Sequence, residues 1–67
     1  MAATTQVRLA NDIAAQFRHL PHDDAVTAVA GHLRSFWEPR MRGQLIEAVA
    51  AADPDVDPLV ADAVRAL

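Results

Sequence analysis

The chain has 67 residues, a net charge of −3 and no cysteine. That length allows one domain at most, burying only about 60% of the surface of its unfolded chain and drawing roughly 3–5 kcal/mol from its core. The missing cysteines exclude a disulfide staple and a thiolate metal site, and the acidic balance is the opposite of what a general phosphate-binding surface needs.

The chain opens on MAATTQVRL. This stretch lacks the basic flank and apolar core of a signal peptide. No apolar run approaches the roughly 18–20 residues of a spanning helix. A soluble, cytoplasmic protein is the expectation. Thr4 or Thr5 can cap a first helix, on which Val7, Ala10, Ile13, Ala14, Phe17 and Leu20 recur at helical spacing. Asn11, Asp12, Arg18 and His19 fall mostly on the other side. Pro21 stops this helix near His19.

Asp23 is a natural N-cap for a second helix, with Asp24 favourable in its first turn. Val26, Val29, Ala30, Leu33, Phe36 and Trp37 form its apolar stripe. Gly31 lies inside this helix, off the stripe. It either permits close backbone approach or is tolerated, at up to about 1 kcal/mol relative to Ala. Pro39 ends the second helix and opens a third, with Glu38 as the cap. Met41, Leu45, Ala48, Val49 and Ala52 form the third stripe, and Ile46 lies beside it, more exposed than a lone core would want.

ADPDVDPL is a punctuated link. Asp57 followed by Pro58 starts a last helix bearing Leu59, Val60, Ala63, Val64 and Leu67. At about ten residues it is shorter than isolated helices that persist in water, so it must dock on the chain's own core or on a partner. The reading is all-α: one helical domain over residues 1–67, a small bundle of three main helices plus a short C-terminal fourth.

Catalytic and ligand chemistry find little footing. His19 and His22 flank Pro21, which breaks the helix that would hold them on one face, although Asp23 and Asp24 are adjacent. No Glu-x-x-His pair is present. Surface histidines, with no metal and no cofactor, are the expectation. Ser35 is the only serine; it lies opposite the apolar stripe with His32 as its one histidine neighbour. A triad also needs an oriented third group and an oxyanion hole, and the Asp-Ser-Leu context that phosphopantetheine carriage requires is absent. Two isolated glycines cannot build a phosphate loop. The alternative function is a small DNA-binding or regulatory module, with Arg40 and Arg42 opening a recognition helix. The acidic net charge and the apolar Trp-Pro corner weigh against it.

The densest cluster of interaction-prone residues is HLRSFWEPRMR, residues 32–42. It holds the only Trp, one of two Phe and three of the six basic residues, all of which are Arg. Arginine pairs with carboxylates in bidentate fashion and stacks on aromatic faces. On helical wheels, Arg34 flanks the second stripe, Arg42 and Ile46 flank the third on one side, and Arg40 flanks it on the other. As a plain corner, Trp37 closes the core while the arginines are solvated or paired with Glu38 and Glu47. As a docking surface, Trp37 is an anchor and the guanidinium groups meet a partner's carboxylates, since Trp and Arg are enriched at interface hot spots. The candidate partner-binding residues are Arg34, Trp37, Glu38, Arg40, Met41 and Arg42; none is expected to be catalytic.

The same residues carry a resemblance. FWEPRMR at Phe36–Arg42, preceded by His32 and Leu33, resembles the delta subunit of the soluble, NAD-dependent, molybdenum- or tungsten-containing formate dehydrogenases. LANDIAAQF at residues 9–17, Pro21 with the Ala25 that follows, and DPLV at Asp57–Val60 extend the likeness over nearly the whole chain. Glu38 stands where the family usually has Asp, and Leu9 and Asp12 where it usually has Met and Gln. The resemblance implies a non-catalytic accessory subunit of a hetero-oligomeric enzyme. The larger formate dehydrogenase subunits would carry molybdopterin, iron–sulfur clusters and flavin, and this one none. It implies a role in assembly or stability by docking on a larger subunit; charge and hydropathy give the expectation of no nucleic acid and no membrane partner. An exposed apolar corner on a small bundle can also self-associate, so a homodimer in isolation is compatible with that role.

Overall fold

The structure is a computed structural model and describes residues 4–67. Four helices follow one another: α1 (Thr5–Gln16), α2 (His22–Phe36), α3 (Pro39–Ala50) and α4 (Pro58–Arg65). There is no strand among the described residues. The all-α reading therefore holds, and the departures from it lie at helix ends.

At the start of α1, the Thr4 hydroxyl accepts a hydrogen bond from the Val7 N–H at 3.3 Å. This satisfies one of the donors that the first turn of a helix leaves free. The helix ends at Gln16, short of His19. The N–H groups of Phe17 and Leu20 reach back three residues, to the carbonyls of Ala14 and Phe17 at 3.0 and 3.1 Å. Those tighter turns set Phe17 and Leu20 against the core before Pro21 intervenes.

Asp23 is not the cap of α2. The helix begins at His22, its N-cap is Pro21, and no side chain caps it. Pro21 already holds the backbone at φ −51° and ψ 148°, ready to enter a helix. Asp23 and Asp24 both fall in the first turn, where carboxylates favour the positive end of the helix dipole. A Cβ added at Gly31 would meet nothing within 4 Å, so no close backbone approach explains this glycine. Glu38 precedes α3 in extended geometry and Pro39 is its first residue, yet the Glu38 carboxylate makes no capping bond.

The end of α3 is a Schellman motif. The Ala52 N–H bonds to the Val49 carbonyl at 3.0 Å, and the Asp53 N–H to the Ala48 carbonyl at 3.1 Å. The motif needs one left-handed residue, and Ala52 supplies it at φ 55°. Glycine adopts that conformation without the Cβ clash that alanine meets.

The core sits where α4 meets the other three helices. Leu59, Val60, Ala63 and Val64 of α4 are buried. This helix packs most closely on α2 and also touches α1 and α3. The short last helix thus docks on the chain's own core. Around it lie Val7, Val29, Leu33 and Leu45, with Ala10, Ala14, Ala25 and Ala30 letting the backbones approach. Helices α2 and α3, though consecutive, hardly meet beyond their corner.

Asp57 fixes the approach of α4. One carboxylate oxygen accepts from the Leu59 N–H at 2.8 Å and caps the helix. The other takes the guanidinium of Arg18. The Asp57 N–H donates to the Asn11 side-chain oxygen at 3.0 Å, while the Asn11 amide donates to the Asp55 carbonyl at 2.8 Å. Asn11 and Arg18, expected mostly on the solvent side, are the two residues of α1 and its turn that hold the α3–α4 link. His22 adds a bond from α2 to Asp62 of α4 at 2.8 Å. No helix among the described residues is long and apolar enough to cross a membrane.

Two backbone substitutions test these assignments. Gly31→Ala and Ala52→Gly should each raise stability, by about 0.5–1 kcal/mol, in thermal or urea unfolding. A loss at position 31 would mean a close approach after all, and a loss at 52 would mean the helix ends differently. Asp57→Ala should cost about 1–2 kcal/mol, through the cap together with the Arg18 pair, with Arg18→Ala costing less because the cap survives.

Candidate functional site

The candidate corner is the last turn of α2, the residues Trp37 and Glu38, and the first turn of α3. Pro39 excludes the helical region for Glu38, whose backbone is extended at φ −70° and ψ 157°. Trp37 is extended as well, at φ −94° and ψ 135°, although its N–H still bonds to the Leu33 carbonyl at 3.2 Å. At this break the tryptophan is placed in the core and is only 7% exposed.

Phe36 goes the other way. It is 76% exposed, against the expectation that it belongs to the buried stripe. Two adjacent aromatics at the tip of a helix cannot both enter a core on one side of it, and here Trp37 took the place. Its ring lies against His32, one turn earlier, with ring centroids 4.9 Å apart and a 39° tilt. That pairing sets His32, the nearest histidine in sequence to the exposed Ser35, against Phe36.

The arginines divide by task. Arg42 projects from α3 onto the C-terminal end of α2. One of its nitrogens donates to the carbonyls of Leu33 at 3.3 Å, Arg34 at 3.2 Å and Trp37. Helices leave their last carbonyls without internal partners, and a cation there also favours the negative end of the dipole. Arg42 is therefore a cap delivered by the next helix, and not a group solvated or paired with Glu38 or Glu47. Arg34 reaches the Ala66 carbonyl beyond α4 at 3.4 Å. Among the described residues, the ion pairs are Arg18–Asp57, His22–Asp62 and Arg65–Asp62. Arg40 and Glu38 are exposed and belong to none of them.

Of the six candidate residues, Trp37 lies in the core and Met41 is half-buried against it. Arg34 and Arg42 are brought together at the helix ends. Glu38 and Arg40 face solvent. Phe36 is the residue that sequence reasoning placed in the core and the structure places outside. Its signal was present, in an adjacent aromatic pair stopped by proline.

The histidines and carboxylates nowhere gather in threes that could hold a metal ion, among the described residues. His22 faces Asp62. Asp57 faces Arg18 and the start of α4. What the corner offers is a surface: an exposed aromatic with an unpaired cation and an unpaired carboxylate close by in sequence.

A protein-family model described as NADH-dependant formate dehydrogenase delta subunit FdsD matches residues 6–64. The matched span contains the whole α2–α3 corner. No curated protein and no solved structure matches the chain.

The division of labour among the arginines is measurable in urea unfolding. Arg42→Ala should lose about 1–3 kcal/mol, because it strips a partner from carbonyls that are partly buried. Arg40→Ala should stay within about 0.5 kcal/mol of the parent. Equal, small effects at both positions would show that Arg42 does not cap α2.

Proposed function

This chain belongs to the family of NADH-dependent formate dehydrogenase delta subunits, and on that premise we propose that it is a non-catalytic accessory subunit that docks on a larger subunit and supports assembly or stability of the complex. In this reading residues 1–67 act as one helical domain, in the cytoplasm, with no cofactor of their own. The observation that carries it is Phe36, 76% exposed at the tip of α2.

Full burial of a phenylalanine side chain is worth about 1.5–3 kcal/mol. A bundle this small has little stability to spare, yet leaves that gain unrealised in isolation. A partner pocket over Phe36 would recover it. Glu38 and Arg40 would then meet the partner at the rim, Arg40 through a carboxylate it lacks among the described residues. Trp37 and Met41 support the corner from beneath, and Arg34 and Arg42 hold the helix ends that shape it. The candidate residues thus act together, with Phe36 as the anchor in place of the buried Trp37. The contact would have ordinary size, about 1,200–2,000 Å² in total.

For the non-catalytic part of the reading, the support is that several titratable side chains have structural partners far apart in the bundle. His22 and Asp62 hold each other. Asp57 caps a helix and binds Arg18. His32 lies against Phe36.

Phe36→Ala is the direct test. Helicity and unfolding midpoint should be nearly unchanged, because the side chain is exposed. Affinity for the rest of the complex should drop by about 2 kcal/mol or more, roughly 30-fold, as for a hot-spot aromatic. Adding Arg40→Ala should weaken co-purification further. Unchanged complex yield and formate oxidation in the double variant would overturn the docking claim. Trp37→Ala is the wrong probe, since it empties the core.

A further inference from the structure

We propose that the chain carries a second docking surface, on the flank of the bundle away from Phe36, and that it receives an acidic amphipathic helix from a partner subunit. The proposal rests on the reading of the chain as a subunit, but not on Phe36.

Residues two apart on a helix lie about 200° apart around its axis. Arg34 therefore points to the flank of α2 away from Phe36. On that flank it meets the end of α4, through the Ala66 carbonyl at 3.4 Å. Arg42 arrives there from α3, on the Arg34 carbonyl at 3.2 Å. Ile46 and Val49 continue along the same face of α3, at four and seven residues beyond Arg42. Between these residues and α4 runs a groove of about 490 Å³, lined by Ile46, Val49, Ala50, Ala52, Val64 and Arg65. Ile46 on its lip is 43% exposed, and Leu67 just past α4 is 41% exposed.

The floor is apolar and the surroundings are cationic. Arg34 and Arg42 bond to carbonyls, which leaves their charges without a carboxylate. Arg65 lines the groove and pairs with Asp62. The nearby acids face elsewhere: Glu47 and Asp53 line a separate depression with Thr4, Gln6 and Gln44, and Asp62 also faces His22. On a chain of net charge −3, Arg34 and Arg42 are two cations near one end of this groove that no side-chain carboxylate among the described residues pairs with.

Charge complementarity selects the occupant. A second copy paired through the same face would set its own arginines against these. A nucleic acid would meet the arginines but leave the apolar floor empty, and the rest of the chain would repel it. An amphipathic helix with carboxylates flanking an apolar stripe satisfies both floor and rim, in the helix-in-groove manner.

The test uses the purified formate dehydrogenase complex containing this chain. A photo-crosslinking phenylalanine analogue is placed at Ile46 in one preparation and at Phe36 in another. Position 46 should link to another subunit, at a stretch where Asp and Glu flank apolar residues at helical spacing. Arg34→Glu and, separately, Ile46→Gln should each weaken assembly about tenfold while circular dichroism is unchanged, and the Arg34→Glu loss should shrink at high salt. The proposal is overturned if position 46 links to nothing, to a second copy, to nucleic acid or to a segment without carboxylates. If position 36 still links to a partner in that case, the corner reading stands alone; if neither position links, both fall.

Discussion

A helix of eight residues holds this bundle together, and it could not exist by itself. α4 offers Leu59, Val60, Ala63 and Val64 to the interior, and it touches all three other helices. Short helices form few internal hydrogen bonds for the cost of nucleation, so their stability comes from the face they bury. Asp57 makes that burial directional. It caps α4, accepts the Arg18 guanidinium and is held through its N–H by Asn11. Loss of α4 would expose the apolar faces of α1, α2 and α3 together.

Given that centre, the α2–α3 corner is left at the edge. Pro39 prevents the two helices from becoming one. The break places Trp37 in the core and leaves Phe36 exposed. Arg42 then closes the end of α2 from the far side of the break. This use of arginine is structural in the first instance. A guanidinium has five donors and no acceptor, so it can serve several carbonyls while its positive charge remains to act on a partner. The same residue can therefore shape the bundle and colour its surface.

A core built largely from alanine, valine and leucine has little surplus. Much of its packing consists of backbones brought close by methyl groups. Such a bundle gains from being held by a larger protein, which agrees with membership of a subunit family. The exposed Phe36 on one flank and the largely apolar groove between α3 and α4 on the other give the bundle two distinct faces. A subunit that uses both would bridge two elements of its complex rather than cap one, and that would place its contribution in holding an assembly together.

Sequence alone determined the helices, because that information is local. Periodic apolar residues defined the faces, and prolines at positions 21, 39 and 58 placed the breaks. The FWEPRMR run pointed to the family. What stayed illegible was the use of polar residues whose partners are distant in sequence. Arg42 was read beside Glu38 and Glu47, yet its partners are carbonyls on another helix. Asn11 and Arg18 were read as mostly facing solvent, yet they hold a link more than thirty-five residues away. Phe36 and Trp37 shared one stripe on a wheel, and only the direction taken by the chain at Pro39 decided which was buried. Periodicity reports which side of a helix is apolar; tertiary structure alone decides how far along that side the neighbours reach.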